Sequence, residues 1–204
     1  MNFTSKQSQS TQHDIQMWTH LKEGNELALG KLLKKYFNHL QNYGYKFVKD
    51  EDFVKDCVQE VFIEIWQRRE KISTPDSVKA YLLSCVRRKV VREGFRQHII
   101  KDEDERNVES KSEDFDISPE WIVIEQENLS EITEKVNKSL SKLPKRQREV
   151  LYLQYYQNLS REEIAQIMDI NSQSVSNLLQ SAFKSFRDNW AVIITILGLL
   201  NMNK

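Results

Sequence analysis

From Asp14 onward the apolar residues Ile15, Trp18 and Leu21 recur at three- and four-residue steps, the period of a helix that buries one face. Gly24 and Asn25 then offer a stop. Leu29, Leu32, Leu33, Tyr36, Leu40 and Tyr43 keep the same rhythm and predict a second helix. A third covers residues 50–69, with Val54, Val58, Val61, Phe62 and Ile65 as its inner face. Thr74-Pro75 reads as an N-cap followed by a first-turn proline, opening a fourth helix that runs to about Gln97. Residues 101–116 lose the rhythm, are dense in Asp and Glu, and hold Val108 and Phe115 as their sizeable hydrophobes. They read as a linker, disordered when alone. Ser118-Pro119 repeats the cap-and-proline signal ahead of a helix over residues 121–140.

The last part of the chain carries the sharpest pattern. Leu143-Pro144 stops one helix, and residues 146–156 form another around Val150, Leu151 and Leu153. Ser160-Arg161-Glu162-Glu163 is a capping box, with Ser hydroxyl and Glu carboxylate placed to satisfy orphaned backbone donors. Ile164, Ala165 and Ile167 face inward, and Asp169-Ile170-Asn171 makes a three-residue turn whose Asn171 can cap the next helix. On that helix Val175, Leu178, Ala182 and Phe186 gather on one side, and Gln173, Asn177, Gln180 and Lys184 on the other. The outer stripe is free of carboxylates and suits DNA. Asn and Gln pair with adenine edges in the major groove, and Lys reaches guanine or phosphate. With the flanking Ser172, Ser174 and Ser176, these residues are the candidate DNA-reading set.

Composition and charge refine this reading. Five Gly and three Pro in 204 residues leave little material for tight turns, which favours helices over sheets. The net charge of zero is a cancellation: residues 13–100 hold 16 basic and 12 acidic side chains, residues 101–135 hold 4 and 13, and residues 136–204 hold 9 and 5. Two basic blocks flank an acidic one. Residues 1–12 are polar, with no apolar core for a secretory signal, so a cytoplasmic location is expected. Cys57 and Cys85 lack the paired spacing of metal sites or disulfide frameworks and read as packed thiols. His13, His20, His39 and His98 are scattered without ligand spacing. No metal, no cofactor and no catalytic residue is expected.

The predicted architecture is therefore all-α: two small helical domains joined by an acidic flexible linker, the C-terminal one a helix-turn-helix. Residues 1–12 form a disordered N-terminus, 13–98 the first domain, 99–118 the linker, 119–188 the second domain and 189–204 an apolar tail. Two faces of the first domain stand out. Arg88, Arg92 and Arg96 line up at four-residue steps with Arg87 and Lys89 nearby; like charges so spaced repel, and a bound polyanion reverses that cost. On the third helix Ile63 falls opposite the apolar stripe, among Asp56, Gln59, Glu60 and Gln67. That acidic setting suits a protein partner rather than nucleic acid.

Taken together, these segments resemble the extracytoplasmic-function group of bacterial RNA polymerase sigma factors. Asp56, Val58, Gln59, Glu60, Val61, Phe62 and Trp66 look like that family's D-x-V-Q-E-V-F-x-x-x-W segment, and residues 77–83 like the start of its next helix. Leu143-Pro144, then Arg148-Glu149-Val150-Leu151 and residues 160–165, match the opening of its C-terminal domain. The resemblance implies that Asp56, Gln59, Glu60, Ile63 and Gln67 dock on the β′ clamp of core RNA polymerase. It also implies that the basic fourth helix (Arg87, Arg88, Lys89, Arg92 and Arg96) engages the downstream promoter element. The helix-turn-helix would read the upstream element while its domain sits on the β flap, and the acidic linker would thread through the polymerase near the RNA exit path. An anti-sigma factor is a further implied partner. Relatives often carry an N-x-x-x-D-x-x-x-R pattern on the fourth helix; Arg88 and Arg92 replace its first two positions here, which favours phosphate contact over base reading.

The apolar run over residues 190–200 departs from the family. As a helix it spans roughly 16 Å, short of a bilayer core of about 30 Å, so no stable membrane insertion is expected. A packed terminal helix, a docking site for a regulator or second copy, and a membrane-surface contact all remain open for it. Two rival functions also stand beside the sigma reading. One is a stand-alone helix-turn-helix regulator that binds operator DNA without polymerase; the other is an enzyme acting on nucleic acid.

Overall fold

The computed structural model describes residues 3–101 and 137–202. The described residues form helices and connecting turns, with no strand among them. They divide into two compact units. The expected linker, the expected helix start at Ser118-Pro119 and most of the helix over residues 121–140 lie outside the described residues.

In the first unit α1 spans Phe3–Lys22, α2 Glu26–Gly44, α3 Glu51–Gln67 and α4 Val78–Lys101. α1 begins well ahead of Asp14, within the stretch expected to be disordered, because polar residues there continue a helix without an apolar stripe to announce it. α2 packs against α1, α3 and α4, and α4 against α1 and α3. Trp18, Leu21, Leu32, Leu40 and Tyr43 are fully buried or nearly so, together with Val54, Val58, Leu82, Val86 and Val90. Each such side chain contributes about 1.5–3 kcal/mol by leaving water.

The caps show why the helices start where they do. Asn25 Oδ1 accepts the Ala28 N–H at 3.1 Å and Asp50 Oδ1 the Phe53 N–H at 3.0 Å, each satisfying a donor that the first turn leaves orphaned. α4 corrects the sequence reading. Its cap is Ser77, whose Oγ accepts the Ala80 N–H at 3.2 Å, and Thr74-Pro75 belongs to the preceding loop. Trp18 holds that loop, donating from Nε1 to the Ser73 carbonyl at 3.2 Å and meeting Tyr81 edge-on at 5.2 Å. Asp14 is buried beneath α2, where the Lys35 ammonium and the Tyr36 hydroxyl both donate to it.

The second unit is built of shorter pieces. Residues 137–141 are helical; α5 then spans Lys145–Leu151 and passes directly into a π-turn at Tyr152–Tyr156. The sequence reading made this one helix. The Gln157 N–H reaches the Tyr152 carbonyl at 3.0 Å, and the Gln157 side chain donates to the buried Tyr152 hydroxyl at 3.0 Å, so the wider turn is pinned by backbone and side chain together. α6 spans Arg161–Met168 and α7 Ser172–Met202. The expected apolar tail is thus helical in continuity with α7. No described helix is long and apolar enough to cross a membrane.

Gly44 sets how closely α2, α3 and α4 approach. A Cβ built there would stand 2.6 Å from Val54 Cγ1 and 3.4 Å from Val90 Cγ2, and branched valines cannot swing aside. Gly44→Ala is expected to lower the unfolding free energy by about 1–3 kcal/mol. Gly30, with nothing within 4 Å of its added Cβ, is the control: Gly30→Ala should stabilise by about 1 kcal/mol. Urea midpoints for the two variants that move the same way would contradict this packing.

Candidate nucleic-acid interface

α6, α7 and the turn between them are locally determined. Ser160 Oγ accepts the Glu163 N–H at 3.2 Å while Glu163 Oε2 accepts the Ser160 N–H at 2.8 Å, a reciprocal capping box. α6 ends at Asp169, which takes the left-handed conformation (φ 54°, ψ 52°). Asp tolerates that conformation better than most residues with a Cβ. Asn171 Oδ1 then accepts the Ser174 N–H at 2.7 Å and opens α7.

Ile164, Ala165 and Ile167 are buried, as are Val175, Leu179 and Ala182 of α7. Leu178, expected inward, is half-exposed, and its neighbour Leu179 takes the core position. The outer face carries Ser172, Gln173, Asn177, Gln180 and Lys184, all exposed. Gln173 Nε2 donates to Asn177 Oδ1 at 3.1 Å, so these two amides present themselves as a pair. Ser174 and Ser176 are half-buried, and Ser176 Oγ donates to the Ser172 carbonyl at 3.1 Å. None of residues 172–187 is Asp or Glu.

On α4, Arg88, Arg92 and Arg96 are exposed in a row. Sequence reasoning missed Glu93, whose carboxylate lies 3.0 Å from Arg92 and 3.4 Å from Arg96 and holds both guanidinium groups. Its three-residue step to Arg96 was the available signal. Arg87 and Lys89 do not join the row. Arg87 is buried with its guanidinium 5.6 Å from the centre of the Phe47 ring. Lys89, its side chain 8% exposed, places Nζ 2.7 Å from Glu60 and 2.6 Å from Glu64 across the α3–α4 interface. Neither cation stands where a polyanion would lie.

Burial pushes the Lys89 ammonium toward neutrality, but its hydrogen bonds to Glu60 and Glu64 outweigh it and hold its pKa above the ordinary lysine value. The Glu64 carboxyl is held below its ordinary value, chiefly by the hydrogen bond from Lys89. The stabilisation from Glu64 is present above its ordinary pKa of 4.5 and fades as pH falls through the lowered one. That from Lys89 is present below 10.5 and fades only as pH rises through the raised value.

α3 turns a different face to solvent. Asp56, Gln59, Glu60, Ile63 and Gln67 are exposed together, Ile63 by 54%. Glu60 serves twice here, on this face and as a partner of Lys89. Cys57 lies just behind, its thiol pushed up to about 11 mainly by burial and then by Glu60. Burial likewise raises Cys85. Both are packed thiols rather than reactive ones.

Sigma-70 region 2 matches residues 32–98 and Sigma-70, region 4 matches residues 133–186, together more than half of the chain. The RNA polymerase sigma factor SigV of Bacillus subtilis (strain 168) is 24% identical over 153 residues, covering 74% of this chain and 85% of the relative. The ECF RNA polymerase sigma factor SigX of the same organism is 24% identical over 169 residues, covering 79% and 83%. The chain belongs to the extracytoplasmic-function sigma factors. Solved structures share the sigma factor's fold. CnrH in complex with the cytosolic domain of CnrY aligns with a TM-score of 0.56 at 17% identity, covering 88% of this chain and 97% of that one. The sigma factor RpoE in complex with the anti-sigma factor NepR from Bartonella quintana aligns with a TM-score of 0.56 at 18% identity, covering 80% and 96%. As a sigma factor, the protein directs core RNA polymerase to promoters and initiates transcription.

Removing Lys89 leaves two carboxylates facing each other beside the α3–α4 seam. Lys89→Met is expected to lower the unfolding free energy by about 1–3 kcal/mol in urea at neutral pH. Arg88→Ala, on the exposed row, should stay within about 0.5 kcal/mol. Equal effects would place Lys89 on the surface rather than in the seam.

Proposed function

We propose that the sigma factor divides its work among three surfaces. The α3 face of Asp56, Gln59, Glu60, Ile63 and Gln67 docks on the β′ clamp of core polymerase. The α4 row of Arg88, Arg92 and Arg96 holds the downstream promoter element by its phosphates. The α7 stripe of Gln173, Asn177, Gln180 and Lys184, with Ser172, Ser174 and Ser176 beside it, reads the upstream element in the major groove while its domain rests on the β flap. The protein performs no covalent chemistry, acts in the cytoplasm, and is held inactive by an anti-sigma factor, as the Bartonella neighbour's complex supports.

The observation that carries this reading is Ile63. It is an exposed branched apolar side chain set among Asp56, Gln59 and Glu60. Phosphate would be repelled by that face, whereas a protein partner can bury the isoleucine and rim it with hydrogen bonds. A regulator that binds operator DNA alone has no use for such a surface.

Ile63→Glu is expected to abolish co-purification with core polymerase and promoter-dependent transcription while leaving the thermal midpoint unchanged. Normal co-purification would remove the docking assignment. Asn177→Ala should weaken promoters selectively by base-pair identity, a loss of about 1–3 kcal/mol at the affected position. Arg92→Ala should weaken opening across promoters and flatten the salt dependence. These are read by transcription with reconstituted holoenzyme across a set of promoter variants at graded salt.

A further inference from the structure

A shallow groove of about 290 Å³ runs along one flank of the α7 stripe, lined by Arg146, Ile170, Ser174, Asn177, Leu178 and Ser181. Its chemistry differs from that of the stripe. Ile170 and Leu178 are half-buried apolar side chains, Ser174 and Ser181 offer hydroxyls, and Arg146 comes from α5 as an exposed cation. No carboxylate lines the groove, and Arg146 makes no ion pair or hydrogen bond among the described residues. This guanidinium differs from those of Arg92 and Arg96, which Glu93 already holds.

Helical geometry says what the groove would meet. At about 100° per residue, Ser174, Leu178 and Ser181 lie roughly 80–140° round α7 from Gln173, and Asn177 borders both the stripe and the groove. When the stripe points at base edges in the major groove, a flank turned by about a right angle meets the sugar-phosphate strand that walls that groove. Hydroxyls and an arginine are the side chains that most often take phosphate oxygens. An apolar lining beside them lowers the local dielectric and strengthens the charge interaction.

We propose that this groove is a phosphate clamp: Arg146, with Ser174 and Ser181, grips one backbone phosphate next to the upstream element and so fixes the register in which Asn177 meets its base. The proposal rests on the assignment of the α7 stripe to the upstream element and adds a residue from outside the helix-turn-helix to that contact. Arg146 is a positioning group. It carries no base preference of its own.

The test uses holoenzyme reconstituted from core polymerase and the full chain, on a promoter fragment recovered by transcription in vitro. The fragment carries a neutral methylphosphonate at each phosphate around the upstream element in turn. Arg146→Ala is expected to weaken binding about tenfold, equally for the parent element and its single-base variants, and to reduce the salt slope by about one. Arg146→Lys should recover most of the loss, because a point charge still binds phosphate. One methylphosphonate position should weaken the parent protein and leave Arg146→Ala unaffected. Loss confined to one base-pair variant, or undiminished sensitivity at every phosphate, overturns the clamp. Asn177→Ala separates the two levels: if it discriminates among base pairs while Arg146→Ala is silent, the clamp alone fails. If Asn177→Ala shows no base preference, the assignment of the stripe fails. The thermal midpoint of Arg146→Ala should match the parent, since the side chain has no ion pair or hydrogen bond in the described structure to lose.

Discussion

Lys89 joins two helices whose outer faces differ in charge. Its ammonium sits between Glu60 and Glu64 of α3 while its backbone belongs to α4, so the acidic face with Ile63 and the basic row of Arg88, Arg92 and Arg96 are tied through one buried contact. Taking an ammonium out of water costs several kcal/mol unless its partners are well placed. Here two carboxylates, each half in solvent, supply them. The seam is further set by Gly44, which lets α2 reach Val54 and Val90 more closely than any side chain would permit. Close backbone approach and the carboxylates around a buried ammonium together hold the acidic face of α3 at a fixed angle to the basic row of α4.

The second unit solves a different problem. α5 and α6 have seven and eight residues, too few for stable helices in isolation. α5 persists because it packs against α7, and α6 because its ends are satisfied: the Ser160–Glu163 box at one end and Asp169 in the left-handed region at the other, with Asn171 at the start of α7. α7 is then presented on a short rigid turn, and the paired amides of Gln173 and Asn177 face outward with their geometry already set. A helix positioned in this way loses little entropy on binding.

Much of this was legible in the sequence because helices announce themselves by period. The inner face of α3 and the three-residue turn at Asp169 follow from spacing alone, and the capping box from four consecutive residues. What was not legible arises between elements. Lys89 looks like one more cation in a basic row until α3 supplies its partners, and Arg87 until Phe47 covers it. Ser77 rather than Thr74 caps α4 because the loop held by Trp18 takes up the residues between them. Leu178 and Leu179 are adjacent leucines, and which one turns inward depends on the helices they meet. The π-turn at Tyr152–Tyr156 has a period that no apolar stripe of that length can reveal. Arg146 had no signal, since its neighbours in the groove lie on another helix.

A sigma factor differs from a self-sufficient regulator in needing polymerase to hold its two DNA contacts at promoter spacing. The most direct test is transcription in vitro from a genomic library by purified core polymerase, with and without this protein. New start sites are expected that appear only with the protein and share two upstream sequence elements at a fixed separation. Tight, sequence-specific binding of the purified protein to discrete DNA sites without polymerase, with no new start sites when polymerase is added, would contradict this expectation.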